Sequence, residues 1–185
     1  MNTVQNQRVM LTKRLLQESL IQLLQQQSIH KISIRELCEA AGINRSTFYK
    51  YYGSQYDLLS EMEEEMLIQI QAYVAQIDME EDESIVLHIV PIITYLEENI
   101  DLARLLLNNN IDPEFPQKLF SLPQIQYLVR TFIGDRYDEE EFDYMFAFII
   151  DGVYGMVRQW LNRSDHISAE KLAPLIIKIF NPLRV

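Results

Sequence analysis

The sequence predicts an all-α protein: an N-terminal three-helix head carrying a helix-turn-helix, followed by a C-terminal helical domain. Two sets of observations predict the helices. Only five glycines and six prolines occur in 185 residues, against many Leu, Ile, Gln and Glu. Capping signals and glycines divide residues 33–59 into a helix, a tight turn, a second helix and the start of a third. The chain is 48% hydrophobic, ample for a core.

The head is expected over residues 8–60, with the motif at about 33–52. Leu16, Leu20, Leu23 and Leu24 form the apolar stripe of a first helix. Ser33 followed by Glu36 reads as a capping box, so the next helix begins at Ile34. Its apolar positions Ile34, Leu37, Cys38 and Ala41 fall on one stripe, and Gly42 supplies the left-handed residue that ends it. Asn44 then caps a second helix after only a few residues of turn.

At 100° per residue, Phe48 and Tyr52 lie on one side of that helix and Ser46, Thr47 and Lys50 roughly opposite. Arg45, Tyr49 and Tyr51 occupy the flanks. The outward side is short, polar and basic. Ser and Thr bond base edges or phosphates, Arg and Lys favour guanine or phosphate, and tyrosine hydroxyls donate to phosphate oxygens. A helical hairpin with an ordinary solvated face is the competing reading. Gly53 ends the helix, and Ser54 with Asp57 opens the next.

The body is expected over residues 61–185. Glu61 to about Ile77 continues the fourth helix, and Asp78 to Ser84 is an acidic loop ending in an N-cap serine. Helical pattern runs from Ile85 to about Leu107, with Pro91 kinking it or opening a new segment. Asn108 to Asn110 and Asp112-Pro113 stop it. A short helix carries Lys118 to Leu119, and Pro123 starts another through about Thr131. Asp135 to Glu141 is an acid-rich approach to a long helix over Glu139 to Leu161, and acids suit a helix N-terminus. Ser168 caps a final helix ending near Asn181-Pro182.

Charge separates the two parts. The chain carries a formal −11, but through Tyr52 seven Lys or Arg face three acids, a net of +4 that leaves −15 for the remainder. A basic head on an acidic body orients toward a polyanion and holds the body off it. The single cysteine, Cys38, cannot form an intrachain disulfide and reads as packing. No leader and no apolar run near 18 residues occur, so a soluble, cytoplasmic protein without a membrane partner is expected. His30, His88 and His166 are scattered, and no HExxH, GxSxG, CxxC or phosphate-cradling glycine loop occurs. The sequence therefore offers no reaction, no cofactor and no metal site, and an enzyme is not expected.

The last two helices are too apolar for a solvated surface. Met145 to Ile150 with Val153, Met156, Val157 and Trp160 cover much of one helix, and Leu172, Leu175, Ile176, Ile179 and Phe180 stripe the other. Gly152 and Gly155 cost helix stability and are best explained by close approach of another helix. Burial within one chain and association between two chains both fit.

Residues Gly42 to Leu59, GINRSTFYKYYGSQYDLL, resemble the recognition-helix signature of the TetR/AcrR family of bacterial transcriptional regulators, and the match extends upstream over residues 10 to 60. The resemblance implies that Tyr49 clamps a phosphate and that Tyr52 takes the place of a buried Phe. Arg45, Ser46, Thr47 and Lys50 would face bases, and Ser33 would meet the backbone, with Tyr51 where the family has His. Tyr51 keeps a phosphate-reaching donor, but Gln55 stands where the family has Lys and removes one cation.

The same resemblance implies pairing through the last two helices, with Phe148, Gly152, Gly155, Met156, Trp160, Leu172, Leu175, Ile176 and Ile179 at the interface. It implies also a small-molecule effector among the middle helices, where Tyr73, Tyr95, Tyr127, Tyr144, Met145 and Met156 are the candidate lining. On that resemblance the body is a C-terminal helical ligand-binding and dimerisation domain. The acidic body would suit a cationic inducer. The expected protein is a homodimeric, ligand-responsive repressor reading a palindromic operator in double-stranded DNA. The alternative keeps the head but acts through protein partners, with weak, non-specific DNA binding.

Overall fold

The computed structural model describes residues 3–76, 84–108, 111–133 and 137–180, which hold ten α-helices and no strand. The expected acidic loop after residue 77, the stretch at Asn109 and Asn110, Asp135 and the chain end at Asn181-Pro182 lie outside the described residues. The chain forms two compact units, Met1–Met66 and Leu67–Val185, a few residues beyond the division expected from sequence.

In the first unit, α1 (Thr3–Leu24) packs on α2 (Ile34–Ala41), joined by a 3-10 turn at Ile29–Lys31. Leu16, Leu20 and Leu24 meet Leu37, Cys38 and Ala41 in a shared core. Gly42 ends α2 at φ 65°, the left-handed region where a side chain is strained. Its amide donates to the Glu39 carbonyl at 3.3 Å and that of Ile43 to Cys38 at 2.9 Å, the paired bonds of a Schellman stop.

Half of the expected box at Ser33 forms. The Ser33 hydroxyl accepts from the Glu36 amide at 3.1 Å, but the Glu36 carboxylate accepts from the Gln27 side-chain amide at 2.7 Å instead. An incoming side-chain donor has displaced the local backbone partner.

The next helix, α3 (Arg45–Phe48), is one regular turn and tightens beyond Phe48 into i→i+3 bonds, so it is shorter than expected. Asn44 caps it through its carbonyl alone, without a side-chain bond. α4 (Gln55–Val74) follows, its first twelve residues in the first unit and the rest in the second. The Asp57 carboxylate accepts from the amides of Gly53 at 2.8 Å and Ser54 at 3.1 Å, and the Ser54 hydroxyl accepts from the Asp57 amide.

The second unit comprises the rest of α4, α5 (Ser84–Glu98), α6 (Ile100–Leu107), α7 (Phe115–Phe120), α8 (Pro123–Ile133), α9 (Glu139–Asn162) and α10 (Ala169–Phe180). The helix passes through Pro91 and breaks instead at Asn99, so the single run expected to Leu107 is two helices. Asn99 takes the Tyr95 carbonyl with both its backbone amide at 3.1 Å and its side-chain amide at 2.8 Å, leaving the helical path at φ −112°, ψ 34°. Asp138 and Glu141 form a complete capping box at the start of α9.

The central helix α9 packs on α6, α8 and α10, while α10 lies most extensively against α5. Arg104 donates to the Leu161 carbonyl at 2.6 Å, and the side-chain amides of Asn108 and Asn162 bond reciprocally at 3.0 and 2.8 Å. These bonds tie the ends of α6 and α9, and the first satisfies a carbonyl that the terminus of α9 leaves open.

Candidate nucleic-acid interface

The α3 turn is split by burial along the line its sequence draws. Phe48 is wholly buried and Tyr52 nearly so, while Arg45, Ser46, Tyr49 and Lys50 are exposed and Thr47 and Tyr51 half-buried. The Phe48 ring anchors its neighbours, with Tyr49 edge-on at 5.6 Å and Tyr52 tilted at 5.6 Å. Tyr49 is thereby braced on one edge and 52% exposed on the rest, an arrangement suited to presenting a hydroxyl donor. Ser33 is exposed at the start of α2.

Charge pairing separates the cations of the head. Arg14 and Arg35 bond acids four residues on in their own helices, at 2.7 Å each, and Lys13 pairs with Glu61. Arg8, Lys31, Arg45 and Lys50 form no ion pair among the described residues, and of these only Arg45 and Lys50 lie within residues 45–52. Two uncompensated cations and an exposed tyrosine hydroxyl thus share this side of the segment.

Beneath that face lies a feature that sequence reasoning missed. Lys13 of α1 pairs with Glu61 of α4 and stands 5.6 Å from the centre of the Tyr52 ring. The Tyr52 hydroxyl and Glu61 Oε2 are buried without a partner at strict hydrogen-bonding geometry, yet each group feels the other. Burial and then the Glu61 carboxylate push the Tyr52 phenol far above its usual range. Burial acts upward on Glu61 too, but Lys13 and Tyr52 outweigh it and hold the carboxyl below its ordinary value. This cluster braces the end of the recognition segment. No local pattern could reveal a pair 48 residues apart.

The body holds an apolar cavity of about 170 Å³. Its wall is aliphatic, with the rings of Phe120 and Tyr154, and includes none of Tyr73, Tyr95, Tyr127, Tyr144, Met145 or Met156. The Tyr73 and Tyr95 rings lie 6.1 Å apart beside one another, Tyr127 and Tyr144 are exposed, and Met145 and Met156 are half-buried. A tyrosine carries a hydroxyl that needs water or a partner, and the branched aliphatics took the interior instead. Among the described residues no charged side chain lines the cavity.

Of the residues expected at a dimer interface, Trp160, Leu172 and Ile176 are buried within their own chain. The Trp160 indole donates to the Ile167 carbonyl at 2.5 Å, and Leu172, Ala173 and Ile176 are covered where α10 lies on α5. Phe148, Gly152, Gly155 and Leu175 are exposed and Met156 half-buried; the Ile179 side chain lies outside the described residues. No group of three or more His, Cys, Asp or Glu placed to hold a metal occurs among the described residues, and no helix there is long and apolar enough to cross a membrane.

A buried-and-braced helix-turn-helix with a free basic face, joined in sequence to a helical body with a cavity, defines a DNA-binding regulator. Residues 18–62 match the family described as "Bacterial regulatory proteins, tetR family", and residues 83–182 match "Transcriptional regulator C-terminal region" of the same group. The chain belongs to the TetR family of transcriptional regulators.

Solved structures share the fold. A TetR transcriptional regulator from Streptococcus agalactiae is 23% identical, with a TM-score of 0.64 over 97% of this chain and 99% of that one. The dihydroxyacetone kinase operon activator DhaS is 22% identical, with a TM-score of 0.60 over 94% and 96%. FadR of Thermus thermophilus, a repressor solved with lauroyl-CoA, is 14% identical, with a TM-score of 0.54 over 94% and 95%. No curated protein matches the chain.

Proposed function

We propose that this regulator is a homodimeric, ligand-responsive repressor that reads a palindromic operator through Arg45, Ser46, Thr47, Tyr49, Lys50 and Tyr51, with Ser33 on the backbone. The observation that carries it is the division of α3 between a buried Phe48 and an exposed side whose Arg45 and Lys50 form no ion pair. Short polar residues beside free cations suit base edges and phosphates together.

Pairing of two chains is supported by the outward stripe of α9. Tyr144, Phe148, Gly152 and Gly155 fall within one side of the helix by its 100° advance, and all four are exposed. A Cβ added at Gly155 would meet nothing within 4 Å, so packing inside the chain gives no reason for the missing side chain. Close approach of a second copy does. Two heads on a two-fold axis then read a site of matching symmetry. The effector reading is supported by the body's cavity, and FadR of the same fold was solved with lauroyl-CoA, an acyl chain on a charged carrier.

Selection from a random double-stranded DNA library, followed by affinity measurement on any enriched site at two salt concentrations, tests the proposal. Recovery of a palindrome with strong sequence preference is the expected result. No enrichment would move the reading to a regulator that acts through protein partners.

A further inference from the structure

We infer that the body's cavity binds an uncharged hydrocarbon group, of the size of a benzene ring with a short alkyl substituent, and rejects any ligand that must bury an ionised atom there. The inference rests on the ligand-responsive reading above and names the chemistry of its ligand. Size and lining carry it. The cavity measures about 170 Å³, and the nineteen described residues that wall it include none that is ionisable except Tyr154. The Tyr154 hydroxyl donates to the Leu107 carbonyl at 2.6 Å, so this tyrosine lines the cavity with its ring and commits its proton to the backbone. No polar atom faces the space.

Water is a poor occupant of such a site, because a buried water needs two to four polar partners. An apolar cavity of about 150 Å³ engineered in another protein stays dry and takes up benzene. The space here is partly open rather than sealed, and its lining has the same apolar chemistry with slightly more room. A hydrocarbon entering the cavity supplies dispersion contacts that its lining lacks and loses little hydration. An ammonium or carboxylate loses its hydration and finds no counter-charge. A cationic inducer, favoured by the body's net charge, is thus disfavoured by the cavity itself.

The wall draws on every helix of the body. Val74 of α4, Ile93 of α5, Leu107 of α6, Leu119 of α7, Val129 of α8 and Val157 of α9 all contribute, together with α10. A ligand there contacts elements otherwise held together pairwise, and it should stabilise the whole unit by mass action.

The test uses the full chain with toluene as probe, benzoate and benzylammonium as charged counterparts of similar size, and octanoate as a chain whose charge lies far from its tail. Thermal unfolding and titration calorimetry are the readouts. The expected result is a Tm that rises with toluene concentration, no rise with benzoate or benzylammonium, and loss of the toluene effect in Val153→Phe and Leu128→Phe, two substitutions that fill the space. A rise with octanoate as well would identify the source as the tail of an acyl amphiphile; a rise with toluene alone would identify a free hydrocarbon. Absence of binding by both toluene and octanoate overturns the inference. So does a benzoate effect equal to that of toluene, or an undiminished effect in both filled variants. Release of the selected operator is measured separately: toluene binding without release leaves the cavity assignment standing and counts against the ligand-responsive reading.

Discussion

The Tyr154 hydroxyl of α9 donates to the carbonyl of Leu107, the last residue of α6, at 2.6 Å. A helix leaves its final carbonyls without internal partners, so this bond both closes α6 and fixes one wall of the cavity. Tyr154→Phe keeps the ring and removes the donor. The expected cost is about 1–2 kcal/mol of stability, read by urea denaturation, with little change in operator affinity. A variant as stable as the parent would show that the carbonyl finds another donor.

The Glu61 carboxyl has a folded-state pKa below its ordinary value of 4.5, because Lys13 and Tyr52 outweigh the opposing effect of burial. The unfolded chain therefore binds the proton more readily than the folded one. The resulting stabilisation is fully present above pH 4.5 and is lost as pH falls through the lower folded value. Asp112, held by Lys118 and the Glu114 amide against the effect of burial, gives the second unit the same sign. Glu61→Gln is expected to flatten the acid limb of stability below pH 4.5. An acid limb unchanged from the parent would remove Glu61 from that account.

Gly53 lacks a side chain where one would crowd the carboxylate end of Asp57. A Cβ there would lie 2.9 Å from Asp57 Oδ2, the atom that accepts from the Gly53 and Ser54 amides. Gly53→Ala should push the Asp57 carboxylate off its cap and cost about 1 kcal/mol, with weaker operator binding as the α3–α4 connection shifts. Gly53→Ala combined with Asp57→Ala should cost less than the sum of the two changes. Additive losses would mean that the contact is relieved by other means.

Lys50→Ala is expected to weaken operator binding and to reduce the slope of log affinity against log salt by about 1. Tyr49→Phe should weaken binding without moving that slope, because a neutral donor displaces no counterion. Both positions are exposed, so thermal stability should stay within about 0.5 kcal/mol of the parent. An unaltered affinity in both variants would relocate the reading surface.

Phe148 is 65% exposed on the stripe assigned to pairing. Phe148→Glu would bury a carboxylate against its symmetry mate in the dimer while leaving it solvated in the monomer. Sedimentation is expected to show conversion of dimer to monomer with helix content retained. A variant that still sediments as a dimer would place the interface elsewhere.

Local chemistry made the head readable. Gly42, Ser54 with Asp57, and the spacing of Leu37, Cys38 and Ala41 each act within a few residues, and their geometry follows from the residue types alone. Ser33 shows the limit of such reading: its hydroxyl caps as expected, while Glu36 is taken by Gln27, nine residues upstream. The body was legible in its helices and not in their neighbours. Asn99 broke a run in which Pro91 was the visible suspect: its side-chain amide folds back onto the Tyr95 carbonyl, a local bond available to Asn as the backbone leaves the helical path. Leu172 and Ile176 have the same pattern whether they face α5 or a second chain, and only packing distinguishes the two. Cavity-lining Ile, Leu and Val are likewise indistinguishable from ordinary core in a sequence, whereas the tyrosines that stood out are those that kept to other places.

Prolines sit inside both α5 and α10, at positions 91 and 174, and these two helices are close partners in the body. Each proline leaves the carbonyl four residues before it without a helical donor. Ile89, Ile92, Ile93 and Leu96 bracket the first of these joints, and Ile176 and Ile177 follow the second, so both gaps in the backbone ladder lie along the cavity wall. Alkylbenzenes of increasing chain length are therefore expected to lose affinity gradually if the wall yields at these joints and abruptly if it does not.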